Sequence, residues 1–164
     1  MNFLAHLFLT QSNEDDMLGN YLADFVKNRH FEALPAPVVK GILLHRKIDS
    51  YTDQHPMVLQ GARRLYEKHH KYAPVLMDVY YDYLLAQNWL AYSDVPLATF
   101  VHEVYAVLQK HSHWFPAPFE ERTKYMIQHD WLMSYTTLEG LANTFERMNH
   151  APVNQSGWMM AWQV

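Results

Sequence analysis

One stretch, residues 41–56 (GILLHRKIDSYTDQHP), most constrains what this chain can fold into. Its start is apolar, with Ile42, Leu43, Leu44 and then Ile48, and suits a helix packed into a core. His45, Asp49 and Asp53 follow at intervals of four residues, so on a helix they share one face. These groups are costly to bury alone, and a divalent cation would offset that cost. A core histidine with solvent-facing acids explains the same stretch without a metal, and both interpretations stay open at this point.

A second stretch, residues 74–91 (PVLMDVYYDYLLAQNWLA), is apolar or aromatic on almost every side and predicts a buried helix. Its only charges are Asp78 and Asp82, which lie one helical turn apart. Two carboxylates on a buried face repel each other and lose hydration. They must therefore be protonated, paired with a cationic side chain such as Arg46, or bound to a metal ion.

The distribution of apolar residues predicts an all-α fold of about seven helices, because no segment alternates with period two over the length of a strand. With 164 residues, the chain is expected to form a single domain over residues 1–150, followed by a tail at 151–164. Residues 2–9 form a short apolar segment that suits either a helix or a strand. The predicted helices are 17–26, 38–52, 56–72, 74–91, 97–113, 119–134 and 138–149, with Thr137 as the N-cap of the last one.

Composition excludes several classes of function. The formal net charge of −4 gives no general nucleic-acid-binding surface. The chain has no cysteine, which excludes disulfides, zinc–thiolate sites and cysteine nucleophiles and fits a reducing cytoplasm. The apolar start lacks a preceding basic residue and is not predicted to be a signal peptide, and no apolar run is long enough to span a membrane. The sequence leaves the oligomeric state open.

Four apolar segments each carry two polar residues at positions i and i+4. If the apolar surroundings of these segments pack together, the polar pairs converge on one interior site. Imidazole and carboxylate groups together suit Mn²⁺, Fe²⁺ or Mg²⁺ better than a soft metal. The candidate ligands are His6, Asp24, His45, Asp49, Asp78 and Asp82, with Asn2 and Asn20 as hydrogen-bonding support.

The four segments also carry a family resemblance. They read NFLAHLFL, GNYLADFVK, GILLHRKIDSYTDQHP and APVLMDVYYDYLLAQNW. Together they resemble the acyl carrier protein phosphodiesterases, a family related to the HD-domain metal phosphohydrolases, closely up to about residue 92 and more loosely after residue 95. The resemblance implies an HD-domain-like fold. It also implies Mn²⁺-dependent hydrolysis of the phosphodiester that joins 4′-phosphopantetheine to a serine of acyl carrier protein.

The resemblance further implies roles for single residues. Asp49 or Asp82 would orient the attacking water or take its proton. Arg46 and Lys47 would stabilise charge that develops on the phosphoryl oxygens, although a structural ion pair explains Arg46 equally well. The residues expected to hold Mn²⁺, or Mg²⁺ or Fe²⁺ in its place, are His6, Asp24, His45, Asp78 and Asp82.

Carrier proteins are strongly acidic in general, so the resemblance implies a basic docking surface on this chain. One candidate surface, directly after the predicted helix that carries Asp24, comprises Lys27, Arg29 and His30. The second candidate lies on the predicted helix 56–72 and comprises Arg63, Arg64, Lys68, His69, His70 and Lys71. An ordinary solvated helix face explains either group as well.

Two departures from the family pattern bear on function. Relatives commonly have a histidine where this chain has Tyr83. They also tend to continue with a further aromatic-rich helix, which we expect to be missing here, replaced by the tail or supplied by a partner. Two alternative functions therefore stand beside the main one. The first is an HD-type phosphohydrolase for a nucleotide or another small phosphoester, and the second is a catalytically inactive all-α binding relative.

Overall fold

The computed structural model describes residues 3–10, 13–26, 34–115 and 117–150, with side chains up to residue 146. All regular elements in these ranges are helices, which confirms the predicted all-α class. The segment near the start, left undecided between helix and strand, is a helix. The α-helices are α1 (Phe3–Phe8), α2 (Glu14–Leu22), α3 (Ala36–Gln54), α4 (Pro56–His69), α5 (Ala73–Gln87), α6 (Leu97–Lys110), α7 (Ala117–Gln128), α8 (Trp131–Ser134) and α9 (Leu138–His150).

The chain divides into two compact units, Met1–Gln87 and Asn88–Val164. The first unit contains α1 to α5, and the second contains α6 to α9. The single domain expected over residues 1–150 therefore stays a prediction, and the tail at 151–164 lies outside the described residues. Within the described ranges, no helix combines the length and the apolar character needed to cross a membrane.

Capping residues decide where the first helices begin. The side chain of Asn13 accepts a hydrogen bond from the backbone N–H of Asp16 at 2.9 Å, so α2 begins three residues before the predicted start. His55 has extended backbone angles, as expected for a residue before proline, and it ends α3. The ring of His55 also accepts a hydrogen bond from Met57, so the same residue caps α4. The residues 41–54 therefore lie on one uninterrupted helix.

Two glycines allow α2 and α3 to cross at very short range. A Cβ atom added to Gly19 would lie 2.8 Å from the Cα of Gly41 and against the carbonyl oxygen of Val38. A Cβ on Gly41 would approach the backbone of α2 just as closely. Asn20 follows the first glycine, and His45 lies one turn after the second. The crossing therefore brings two buried polar side chains into contact.

The helix α5 is less buried than its composition predicts. Ala73, Val79 and Asp82 are buried, whereas Tyr80 and Leu84 are exposed. The neighbouring helix α4 packs against α5 but contributes no fully buried residue, so it covers α5 only in part. The prediction of a helix buried on all sides is therefore wrong.

The second unit corrects one helix and confirms a cap. The single helix predicted over 119–134 is wrong, because Asp130 adopts a left-handed backbone with φ of 47° and separates α7 from α8. The Tyr105 hydroxyl braces this turn by donating to the Asp130 carboxylate and accepting from the N–H of Leu132, both at 3.0 Å. Thr137 accepts a hydrogen bond from the N–H of Gly140 at 3.0 Å, so its predicted role as the N-cap of α9 is confirmed.

Candidate metal centre

Two histidines from distant parts of the sequence stack in the interior of the first unit. His6 on α1 and His45 on α3 are 3% and 7% exposed, and their ring centroids lie 3.9 Å apart with planes inclined by 10°. Each ring directs its Nε2 atom at the carboxylate of Asp49. The distances are 3.0 Å from His6 to Oδ1 and 3.1 Å from His45 to Oδ2. The spacing of four residues does place His45 and Asp49 together, and α1 adds the second imidazole.

These three side chains form a possible ligand set for a cation. One donor atom from each of His6, His45 and Asp49 lies within 4.8 Å of the other two. Two imidazole nitrogens and a carboxylate oxygen are donors that divalent transition metals accept. The residues present therefore fit the type of ion that the sequence predicts.

Asp24 adds a second carboxylate beside the same ring. It lies in the turn after α2, and its Oδ1 atom is 3.3 Å from Nε2 of His45. The side chains of Asp24 and Asp49 are 39% and 37% exposed, whereas those of His6 and His45 are only 4% and 9% exposed. The imidazoles thus form the floor of the site, and the carboxylates form a rim that solvent reaches.

The charges of the site are strongly coupled. Burial lowers the pKa of His45, but hydrogen bonds to Asp24 and Asp49 outweigh it and raise that pKa to about 9. Burial also lowers the pKa of His6, and its hydrogen bond to Asp49 opposes this only in part. For Asp49, burial acts upward, but His45 and His6 hold the pKa well below its usual range. In the metal-free protein, a proton on His45 balances the negative charge of Asp24 and Asp49. A divalent cation at the same place would supply two positive charges.

The buried amide of Asn20 contacts the other nitrogen of the His45 ring. Its Oδ1 atom lies 2.9 Å from Nδ1 of His45, and the residue is 1% exposed. Within the described residues, Nδ2 of Asn20 and Nδ1 of His6 are buried and have no hydrogen-bond partner. Asn2, which the sequence suggests as a support of the site, lies outside the described residues.

The structure gives Asp82 a role that the sequence analysis missed. Asp82 is fully buried on α5, and its two carboxylate oxygens accept hydrogen bonds from the backbone N–H groups of Leu4 and Ala5, each at 2.9 Å. Burial raises its pKa to about 7, although these hydrogen bonds act in the opposite direction. Asp82 therefore holds the first turn of α1, the helix that carries His6. The roles of Asp82 in metal binding and catalysis stay predictions.

The remaining predicted site residues on these helices lie around the cluster. Asp78 is half-buried on α5, and burial raises its pKa to about 6, with the nearby charges of Asp53 and Asp49 adding to the shift. Arg46 is half-buried and Lys47 is exposed, and both follow His45 directly on α3. Metal binding by Asp78 stays a prediction, as does charge stabilisation by Arg46 and Lys47.

The predicted docking residues fall into two groups. Arg63, Arg64 and Lys68 are all exposed on α4. Lys27 and Arg29 lie outside the described residues. Tyr83, where the resemblance leads us to expect a histidine, is half-buried on α5 beside the anchored Asp82.

Two buried imidazoles and two partly exposed carboxylates meet in this helical unit. The fold and the site therefore define a class of protein, an all-α protein with a candidate divalent-metal centre. Comparison with protein families then identifies the particular family. The model described as "Acyl carrier protein phosphodiesterase" matches residues 1–161. The chain therefore belongs to the acyl carrier protein phosphodiesterase family, which confirms the resemblance found in its sequence. The relation to HD-domain phosphohydrolases stays a prediction.

Curated relatives named acyl carrier protein phosphodiesterase cover most of the chain. The protein of Photorhabdus laumondii is 33% identical over 149 residues, which is 90% of this chain and 75% of that protein. That of Pectobacterium atrosepticum is 33% identical over 150 residues, 91% of this chain and 78% of the relative. That of Escherichia coli O139:H28 is 35% identical over 153 residues, 90% of this chain and 77% of the relative. No solved structure was found to match the chain.

Proposed function

We propose that this protein hydrolyses the phosphodiester bond between 4′-phosphopantetheine and acyl carrier protein, and releases apo-acyl carrier protein and 4′-phosphopantetheine. The cluster of His6, His45 and Asp49 is the observation that carries the proposal, because it offers a divalent cation a set of suitable donors at a point open to solvent. The name shared by the family and its relatives supplies the substrate. We place the reaction in the cytoplasm, the compartment that the cysteine-free composition suggests.

The cation we propose is Mn²⁺, with Mg²⁺ or Fe²⁺ as alternatives that the same donors accept. His6, His45 and Asp49 would hold it, and Asp24 and Asp78 complete the proposed donor set. Such an ion lowers the pKa of a bound water and polarises a phosphoryl oxygen. The carboxylates of the rim are partly exposed, so a substrate phosphate can reach this point from solvent.

The side chains around the cluster have distinct tasks in this proposal. Asp49 is a weak base because its pKa is held low, so we assign it to orient the attacking water by accepting a hydrogen bond. Arg46 and Lys47 supply positive charge for the non-bridging phosphoryl oxygens. The water oxygen is added to phosphorus, and the carrier-protein serine leaves and regains a proton.

The helix α4 is the docking surface that we propose for the acidic carrier protein. It contains three Lys or Arg residues and a single acid, Glu67, in a chain of net charge −4. It follows directly on α3, which carries His45 and Asp49, so the basic surface and the site belong to the same unit. A surface of this charge favours an acidic partner and speeds its association at low salt.

The variants of α4 test this docking directly. Replacing Arg63 and Arg64 together by glutamine should raise KM for the carrier protein and weaken the salt dependence of kcat/KM, with kcat little changed. Glu67→Gln on the same helix is the matched control and should lower KM. If both variants have the KM of the wild type, α4 is excluded as the docking surface.

The activity itself is tested with purified protein, holo-acyl carrier protein and Mn²⁺, followed by mass spectrometry of the carrier protein. We expect loss of the phosphopantetheine mass, and EDTA should abolish that loss. His45→Gln should be inactive, whereas His102→Gln, at an exposed position of α6, should remain active. A comparison with Tyr83→His measures what the departure from the family pattern does to the rate.

The same assay separates the two alternative functions. If a nucleotide or another small phosphoester is cleaved while holo-carrier protein stays intact, the protein is an HD-type phosphohydrolase of small molecules. Mn²⁺ binding without turnover of any phosphoester would identify a non-catalytic binding relative.

A further inference from the structure

We propose that Asn20 is a positioning residue that presents the His45 ring to a bound divalent cation, an inference that rests on the proposed metal centre. Asn20 lies on α2 and is 1% exposed, and its Oδ1 atom is 2.9 Å from Nδ1 of His45. It touches the ring on the side opposite to the cluster of donor atoms. It therefore acts through His45 and contacts neither the cation nor the substrate.

The chemistry of imidazole explains why the partner at Nδ1 matters. A neutral ring carries its hydrogen on one nitrogen and its lone pair on the other. The amide oxygen of Asn20 can only accept, so it holds the hydrogen on Nδ1 of His45. The lone pair is then on Nε2, the atom that lies 3.1 Å from Asp49 and 3.3 Å from Asp24. Ligating histidines in metal proteins are oriented in this way by a partner at their second nitrogen.

One segment of the chain holds the ring of His45 at both nitrogens. Asn20 and Asp24 lie four residues apart, and the first contacts Nδ1 while the second contacts Nε2. The backbone of this segment is held close to α3 by the crossing of Gly19 and Gly41. The position of Asn20 relative to the ring is therefore set by two helix backbones as well as by one hydrogen bond.

Asn20 provides a hydrogen-bond partner for His45 but leaves part of its own amide unpaired. The Nδ2 atom of Asn20 is buried and has no hydrogen-bond partner within the described part of the chain. That buried donor costs free energy, whereas the contact between Oδ1 and Nδ1 of His45 stabilises the metal-free fold. The net effect of the amide on folding is therefore smaller than that of a fully paired side chain, and its distinct consequence is the orientation of the His45 ring.

Two substitutions separate positioning from a structural role. Asn20→Leu keeps the size of the side chain and removes the acceptor, whereas Asn20→Asp keeps an acceptor at the same place. Thr123→Val, at a buried site in the second unit that is 2% exposed, is the control for loss of a buried polar group. For each variant, electron paramagnetic resonance of free Mn²⁺ measures the Kd, and denaturant unfolding in EDTA measures the stability of the metal-free protein.

We expect Asn20→Leu to weaken Mn²⁺ binding about 10- to 100-fold, the usual effect of removing the partner of a ligating histidine. Its stability in EDTA should fall, because the N–H at Nδ1 of His45 loses its acceptor, while the folded variant binds Mn²⁺ less tightly. Asn20→Asp should restore binding close to the wild-type value, and Thr123→Val should leave the Kd unchanged.

Three results would overturn the inference: wild-type affinity in Asn20→Leu, equal loss of affinity in Asn20→Asp, or equal loss of affinity in Thr123→Val. A wild-type protein that binds no Mn²⁺ would overturn the inference together with the metal centre. Normal Mn²⁺ binding without turnover of carrier protein would refute the proposed substrate alone and leave the role of Asn20 standing.

Discussion

Replacing Gly19 by alanine tests whether the close crossing of α2 and α3 maintains the site. The added Cβ would lie 2.8 Å from the Cα of Gly41 and 2.9 Å from the backbone nitrogen of Ile42, where ordinary contacts begin near 3.4 Å. These are backbone atoms that cannot rotate away. The two helices must therefore separate by at least about 0.6 Å, the difference between 3.4 and 2.8 Å, and by more to relieve the contact with the carbonyl oxygen of Val38.

This separation has an energetic and a functional consequence. Overpacking costs roughly 1–3 kcal/mol, and alanine returns about 1 kcal/mol of helix propensity. Because the nearest atoms belong to the backbone, we take the upper end and expect Gly19→Ala to lower the free energy of unfolding by about 2 kcal/mol. The same shift would lengthen the hydrogen bond between Asn20 and His45 from 2.9 Å to at least about 3.5 Å, where little of it remains.

The assay combines urea unfolding in EDTA with titration of Mn²⁺ into the folded variant. Gly61→Ala on α4 is the matched control, because its Cβ would meet the flexible end of the Met77 side chain, with Sδ at 2.8 Å. That end can move aside, so the control should be as stable as the wild type or more stable. Wild-type stability and Mn²⁺ affinity in Gly19→Ala would refute the argument that this crossing positions the site.

Three further predictions concern the anchor of α1, the turn of the second unit and the charge of the site. Asp82→Ala leaves two buried N–H groups of α1 without their acceptor and should lower the free energy of unfolding by about 2 kcal/mol, measured with urea, and weaken Mn²⁺ binding through His6. Tyr105→Phe removes the acceptor for the N–H of Leu132 and should cost about 1–3 kcal/mol in thermal unfolding, with Mn²⁺ affinity unchanged. In the metal-free protein, the pKa of His45 is raised from 6.5 to about 9, which corresponds to about 3 kcal/mol of the free energy of unfolding. In EDTA, this contribution is complete below pH 6.5 and is lost as the pH rises through 9. Unfolding curves across this range should show that loss in EDTA, and it should shrink with saturating Mn²⁺, because the ion takes the place of the proton.

Local sequence was sufficient wherever the controlling interaction is local. The spacing of His45 and Asp49 placed both on one face of α3, because the helical repeat acts within a single segment. The N-cap of α9 at Thr137 was predictable for the same reason, since the capped N–H lies three residues away. The family resemblance added the other segments that carry site residues, although it could not say how their side chains meet.

Long-range contacts decided what the local patterns left open. Asp82 lies one turn from Asp78 in the sequence, which predicts a shared role, but no local pattern indicates that its carboxylate also caps a helix that begins far away in the chain. The break at Asp130 likewise depends on the hydroxyl of Tyr105, which comes from another helix. No local spacing encodes either partner.

By itself, the sequence determined the all-α class, the helix that carries His45 and Asp49, and the residue types that can bind a cation. The tertiary structure decided which of them meet. His6 and His45 stack because α1 and α3 pack in one unit. Asn20 reaches the ring of His45 because Gly19 and Gly41 let the backbones of α2 and α3 approach. The physical reason is that helical periodicity follows from neighbouring residues, whereas distances between helices depend on the packing of side chains that are remote in sequence.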